Sequence, residues 1–336
     1  MKRRQHLRQA WAWAWTCTTF GLAAAASATS AWGQTPPADL PKKTITMVVG
    51  FAAGGAADTG ARVIAKKLGE NIGQTVVVDN RAGAGGNLAH QFVAQTTPDG
   101  STILLGSVGP LAIAQHLMKL PYDPQRDLAP LTLGMSFPNV LVVHAGIKAR
   151  TLAEFVALAR QKPGSLDFAS TGSGSASHLA GELFNQRAGI DTVHIPYKGG
   201  APALQDLLGG RVAAYYSTWS TARQHVESGK LVALASTGPT RPEFLPGIPT
   251  IAESGYPGFA ATNWYAFVAP GKTPPAVLEA WNRELVKVLN TPDVKAELLK
   301  HGLTPQPGSR DDLARLIASE TATWGKLIRE RKITAD

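Results

Sequence analysis

Six short apolar runs, spaced along the chain with helix-like stretches between them, constrain the fold more than any other feature. They are TITMVV (44–49), TVVVD (75–79), STILLG (101–106), LDFAS (166–170), TVHIP (192–196) and LVALAS (231–236). Their β-branched, nearly continuous apolar character is that of strands covered on both faces. The stretches between them, such as ARVIAKKLGENIG, SHLAGELFNQRAG and APALQDLLGG, have helical periodicity. In the first, Ala61, Ile64, Ala65 and Leu68 share a face, Lys66 and Lys67 lie outside it, and Gly73 is a natural stop. A strand followed by a helix, repeated every ~25–30 residues, predicts an α/β fold with mostly parallel sheets, right-handed crossovers and flanking helices.

The rhythm breaks twice. LAPLTLGMSFPNVLVVHAG (128–146) is one long extended passage, interrupted at Phe137-Pro138, and GFAATNWYAFVAPGKTPP (258–275) is another. Beyond the second, PPAVLEAWNRELVKVLN, PDVKAELLKHG and SRDDLARLIASETATWGKLI read as helices. A chain of 336 residues can fill two cores. Two crossings predict that it leaves one lobe, builds a second and returns. Residues 40–140 plus 262–336 then form lobe 1, residues 141–261 form lobe 2, and a ligand cleft lies between them.

The first 33 residues are different in kind. Lys2, Arg3, Arg4 and Arg8 precede an alanine-rich apolar stretch closed by small residues, with cleavage points after Ala28 or Gly33. This is the composition of a secretory signal peptide spanning 1–33, and it predicts a periplasmic protein. His6 weakens a twin-arginine reading of Arg3-Arg4, and WTC around Cys17, the only cysteine, lacks a lipoprotein cleavage pattern. A mature chain without cysteine relies on its core rather than on disulfides. The 33 basic and 24 acidic residues give +9; without the signal's four basic residues, 29 remain against 24, a balance of +5. These charges are scattered. A mildly cationic surface suits anionic small molecules, and the lack of a basic stripe argues against nucleic acid.

Within VVGFAAGGAADTGARV (48–63) a strand ends near Gly50, Gly54-Gly55 follow, and a helix begins near Ala56. Such a turn aims unpaired N–H groups and a helix dipole at an anion, although a purely structural turn reads the same way. Phosphate-loop spacings are missing: neither GxxxxGK[ST] nor GxGxxG occurs here, and GAGGNL at 83–88 has Leu88 where a third glycine is needed. Asp58 and Arg62, four apart, suit a helical ion pair. A second strand-to-helix turn, ASTGSGSASHLAGELF (169–184), offers several hydroxyls, some of which serve as helix caps. GSVGPLA (106–112) is a third, with Pro110 in the first helical turn. No GxSxG elbow, HxxxH zinc helix or legible triad is present. His178 and Glu182 are four apart but form no metal site by themselves, so no metal, cofactor or catalytic residue is expected.

Several strings, in one order, carry a family resemblance: FAAGGAAD (51–58), VVVDNRAGAGGNLA (76–89), TPDGSTILLG (97–106), LPYDPQRDLAPLT (120–132), GSGSASHLAGELF (172–184), VHIPYKGGAPALQDLLGG (193–210), GKLVALASTG (229–238) and LPGIPTIAESGYPGF (245–259). Together they resemble the extracytoplasmic solute receptors of the tripartite tricarboxylate transporter family, the Bug-type receptors. The resemblance implies a two-lobe periplasmic binding fold that closes on a small organic carboxylate without chemistry. It implies delivery to membrane transporter subunits of that type by a monomer. In such receptors the first loop grips a carboxylate largely through main-chain groups and ordered waters. Carried over, Ala53, Gly54 and Gly55 are the main-chain donors, Phe51 walls the pocket and Asp58 braces the loop. The second lobe answers with Ser170, Thr171, Gly172 and Ser177, and Ser107 joins from the third turn. Family members often carry an Asp in an FDN-like string where RVAAYYSTWSTA places Ser217. That departure argues against an amine-bearing ligand such as an amino dicarboxylate. Tyr216 and Trp219 beside it either stack on an aromatic carboxylate or belong to the core. The rival readings are an exported hydrolase using the same cleft, whose activity one serine would abolish, and a sensory adaptor for a signalling partner.

Overall fold

A computed structural model describes residues 40–331 and 333–334. The expected signal peptide, with Cys17, lies outside the described residues. The strands are β1 (Ile45–Val49), β2 (Val76–Asn80), β3 (Thr102–Ser107), β4 (Leu128–His144) and β5 (Asp167–Ser170). They continue with β6 (Val193–Pro196), β7 (Ala214–Thr218), β8 (Leu231–Ser236), β9 (Thr262–Pro270) and the two-residue β10 (Thr304–Pro305). All six expected runs are strands, so the α/β fold class holds. The sheet is mixed in direction. β1 pairs in parallel with β2 and β3, and β5 with β6 and β7. The central strands run the other way: β9 is antiparallel to β3 and β4, and β4 is antiparallel to β7, β8 and β10.

The order β2-β1-β3-β9-β4-β7-β5-β6 makes β4 the strand common to both halves of the sheet. Residues Leu128–Pro138 of β4 face β9, whereas Asn139–His144 face β7 and β8. Sequence reading expects an interruption at Phe137-Pro138. The strand instead runs through it, and the neighbours change there. A proline has no N–H to give to a ladder, so a change of partner is a place that tolerates one.

Nine helices among the described residues cover the sheet: α1 (Ala56–Ile72), α2 (Asn87–Ala94), α3 (Leu152–Gln161), α4 (Ala176–Ala188), α5 (Gly200–Leu208), α6 (Trp219–Glu227), α7 (Pro275–Asn290), α8 (Pro292–Lys300) and α9 (Arg310–Arg331). Gly73 ends α1 in the left-handed conformation, φ 65°, and donates its N–H to Gly69. The turn after β3 departs from the expected helix: Gly109–Ile113 form a single π-helical turn with Pro110 near its start.

Three apolar clusters hold these layers. Met47, Ile64, Leu68, Trp281 and Leu285 pack between the first half of the sheet and helices α1 and α7. Val140, Val142, Leu207 and Tyr215 pack under α5. The third joins the halves, from Val48 and Leu104 to Phe168, Phe184 and Tyr216. Trp281 is fully buried and still satisfied, its Nε1–H donating to Gly100 O at 2.9 Å.

Candidate functional site

The turns after β1, β3 and β5 meet where the two halves of the sheet adjoin. A small cavity lies there. Phe51, Ser107, Asn263 and Tyr265 line it from the first half, Asn139 from the middle of β4, and Thr171, Ser175, Ala176, Ser177, Tyr215, Tyr216 and Thr218 from the second half. Its volume is about 10 Å³, room for roughly one water molecule. No acid, base or histidine is among these residues. Positive potential comes instead from the first residues of α4, Ala176 and Ser177, whose N–H groups head a 13-residue helix.

The first turn is braced by charge. Asp58 accepts from the Gly54 N–H at 3.0 Å and from Arg62 Nε at 3.0 Å, and Arg62 also reaches Asn80, whose amide donates to Phe51 O at 3.0 Å. Burial opposes ionisation of Asp58, but hydrogen bonds from Arg62, Gly54 and Asn80 outweigh it and hold its pKa below the ordinary value. Gly54 therefore commits its N–H inside the loop, which leaves Ala53 and Gly55 as the uncommitted main-chain donors of the carried-over three. Of this turn only Phe51 reaches the cavity wall.

The second turn is braced by neutral groups. Ser177 Oγ accepts from the Thr171 N–H at 2.9 Å and lies 3.1 Å from Thr171 Oγ1 and 3.0 Å from Ser175 Oγ. Ser175 caps α4 by accepting from the His178 N–H. Ser170 Oγ accepts from the Gly172 N–H at 3.0 Å and shares a 2.6 Å hydrogen bond with His194 Nε2, whose ring stacks on His178. A serine beside a histidine suggests a nucleophile, but Ser170 is fully buried, does not border the cavity and has its hydroxyl engaged by the Gly172 N–H and His194. It is a buttress.

Of the expected site residues, Phe51, Ser107, Thr171 and Ser177 line the cavity. Ala53, Gly54, Gly55, Asp58, Ser170, Gly172 and Ser217 do not. Ser217 turns its hydroxyl to Thr218 O at 3.0 Å. Tyr216 does two things at once, bordering the cavity and meeting Phe168 edge-on at 5.5 Å. Trp219, half-buried at the start of α6, packs against the edge of the cluster under α5 and does not line the cavity. Sequence reading misses Asn139, Tyr215, Asn263 and Tyr265, since a polar residue inside a strand carries no mark of which cavity it borders.

The halves touch through main chain. Ala52 N–H donates to Lys198 O at 3.2 Å. A Cβ on Gly109 would sit 2.6 Å from Gly174 O, one on Gly172 2.7 Å from Gly85 N, and one on Gly199 2.9 Å from Ala52 N. No side chain fits between these turns, so the glycines permit the close approach. A wider depression of about 390 Å³ lies on the outer surface beside α1 and α8, where Lys67 and Asp293 pair at 2.7 Å, far from these turns in kind. Among the described residues no cluster of acids, histidines or cysteines could hold a metal, and no helix is long and apolar enough to cross a membrane.

The geometry can be set against known proteins. A family model described as "Tripartite tricarboxylate transporter family receptor" matches residues 60–333. A protein of Pseudomonas sp. strain P51, named for the tcbD-tcbE intergenic region, is 41% identical over 88% of this chain and 89% of its own length. BugT of Bordetella pertussis is 39% identical over 86% of this chain and 90% of its own length. Among solved structures, R. palustris Rpa4515 with adipate aligns at a TM-score of 0.84 and 34% identity, covering 88% of this chain and 99% of the other. MatC from Rhodopseudomonas palustris with bound malate gives 0.82 and 32%, over 86% and 100%. The periplasmic binding protein BugD gives 0.83 and 32%, over 88% and 100%. The matching family is one of receptors rather than enzymes, and two of these structures hold carboxylates, adipate and malate. With its matched span and its fold in agreement, the chain belongs to the tripartite tricarboxylate transporter receptor family, among the Bug-type solute-binding proteins.

Proposed function

We propose that this protein is a periplasmic receptor, exported by its N-terminal segment. As a monomer it captures a small organic carboxylate, either a dicarboxylate or an aromatic carboxylate. It then delivers the ligand to membrane subunits of a tripartite tricarboxylate-type transporter. Residues 40–140 with 262–336 and residues 141–261 act as its two lobes. The observation that carries this reading is a cavity at their junction, lined by hydroxyls, amides and the start of α4 with no fixed charge. Such a wall stabilises an anion through oriented dipoles. Relatives that hold adipate and malate point to the same ligand chemistry.

A cavity with room for about one water cannot admit an acid of several carbons. The ligand therefore enters with the lobes apart, and they close around it. Differential affinity for the closed arrangement drives the motion. The test is a thermal-shift screen over aliphatic and aromatic mono-, di- and tricarboxylates. A ligand that binds only the native state raises the melting temperature in proportion to the logarithm of its concentration over Kd. At least one acid is expected to do so; a screen in which none does, repeated by calorimetry at millimolar ligand, overturns the reading.

A further inference from the structure

Three buried polar groups on the cavity wall have no hydrogen-bond partner: Ser107 Oγ, Asn139 Nδ2 and Tyr215 OH. Their residues are 4%, 1% and 0% exposed. A buried polar group without a partner is destabilising, so three around one cavity call for an explanation. They also come from three different parts of the sheet. Ser107 ends β3, Tyr215 lies in β7, and Asn139 stands on β4 at the residue where that strand changes neighbours.

Asn139 is the most firmly placed of the three. Its main-chain N–H donates to Thr237 Oγ1 at 2.9 Å, its carbonyl accepts from the Thr237 N–H at 2.9 Å, and Thr237 Oγ1 in turn donates to Ala261 O at 2.8 Å. Its side-chain oxygen takes a long contact from Asn263 Nδ2 at 3.5 Å. Exchanging the two amide atoms still leaves one of them unpartnered, because only one contact is available. The oxygen-to-Asn263 assignment pairs an acceptor with a donor and turns the NH2 group to the cavity.

We propose that Asn139, with Tyr215 and Ser107 beside it, is the specificity-determining residue of the cleft: its amide donates to an anionic oxygen of the ligand, and a cavity wall without any acid excludes ligands that carry an ammonium group. The proposal rests on the carboxylate-receptor reading above and deepens it. A carboxylate is a pure acceptor and satisfies all three groups as donors. An ammonium finds no acid here, and burying it without one is unfavourable. The selecting position is thus on β4, not at Ser217, whose hydroxyl is turned away to Thr218 O.

The experiment uses matched acids with and without an amino group, succinate against L-aspartate and glutarate against L-glutamate, titrated calorimetrically near neutral pH. Wild-type protein is expected to favour the des-amino member of a pair by at least about tenfold. Asn139→Asp, nearly isosteric, supplies the missing acid; it is expected to weaken the des-amino acid at least about tenfold and to narrow or invert the ratio. Tyr215→Phe keeps the ring and removes one donor, so it is expected to lower des-amino affinity several-fold with the melting temperature of the free protein preserved. The inference is overturned if wild type prefers the amino member. It is overturned equally if a folded Asn139→Asp leaves the ratio unchanged, or if Asn139→Asp does not fold and Tyr215→Phe binds like wild type. Failure of wild type to bind any carboxylate, these or those of the wider screen, removes the receptor reading itself. Tight binding with an unmoved ratio removes only the role of Asn139.

Discussion

The turns after β1 and β5 face the same cleft, and they are built in opposite ways. The first is held by an ionised carboxylate and a guanidinium, with Asp58 tying Gly54 to Arg62. It sends one apolar ring, Phe51, to the cavity. The second is held by serine, threonine and imidazole groups, and it sends Thr171, Ser175, Ala176 and Ser177. Charge can brace the first turn because Arg62 projects to solvent, its side chain 55% exposed, away from the ligand. A guanidinium at the second turn would sit in the cavity and compete with the dipoles of α4. The difference indicates a division of labour: one turn provides a stiff wall, and the other provides the polar contacts.

The largest expected effect tests whether the two halves of the cleft must touch at all, at the contact between the turns after β3 and β5. Gly109→Ala places a methyl against Gly174 O, 2.6 Å away, without requiring a left-handed backbone at Gly109. Crowding of this kind costs ~1–3 kcal/mol in the closed arrangement, and affinity should fall about tenfold to a hundredfold as the closed fraction drops. Titration calorimetry, with the melting temperature of the free protein as control, checks it. Unchanged affinity would mean that the ligand-bound form keeps these turns apart.

Ser177→Ala comes next. It leaves the half-buried Thr171 N–H without its acceptor, costing about 1 kcal/mol of stability, and should weaken binding about tenfold. Asp58→Asn should weaken it only about threefold, because Asn can still accept from Gly54 and the lost ion pair is solvent-screened. A mutant pair ranked the other way would invert the division of labour. The pH sign agrees with this ranking. The depressed Asp58 pKa means the brace is complete above the ordinary value of 3.8 and is lost only as pH falls below it. The first turn should therefore be indifferent to pH across the neutral range, and a Kd corrected for ligand protonation should be flat there.

Much of the fold was legible in the sequence, because strands and caps are local. The six apolar runs became strands, and Gly73 stops α1 as its spacing requires. The site was legible only in part. Phe51 and Ser107 came from the resemblance, whereas Thr171 and Ser177 stand out because a glycine-rich turn with hydroxyls is visible in one dimension. Asn139 does not: its anchor Thr237 is 98 residues away and its amide partner Asn263 is 124 away. Nor does VLVV beside it distinguish a strand within one half from one shared by both. Resemblance placed three main-chain donors in the first turn, and it could not foresee that Asp58 already holds one of them. The parallel expectation was incomplete for a similar reason, since β9 and β4 reverse the direction only through long-range pairing.

The smallest expected effect on affinity concerns what stands behind the first half of the cleft. His90 on α2 gives its Nδ1–H to Gly86 O at 2.9 Å, while its Nε2 has no partner and lies where a side chain on Gly106 would be. Gly86 in turn sits against Phe51 and Ser107. Burial disfavours the imidazolium and pushes the His90 pKa from 6.5 down to about 4, against a weaker opposing pull from the Gly86 carbonyl. The unfolded chain takes up a proton near 6.5 and the folded chain does not. The stability His90 contributes is therefore whole above pH 6.5, declines as pH falls toward 4, and changes no further below that. The difference is on the order of 3 kcal/mol if the shift is fully expressed. His90→Gln can keep a donor near Gly86 without this titration. Urea unfolding at pH 7 and at pH 4.5 should show a smaller loss of stability in the variant, with ligand affinity at pH 7 close to wild type. An equal loss in both proteins would mean that His90 is hydrated or already protonated, and that Phe51 and Ser107 are held by packing alone.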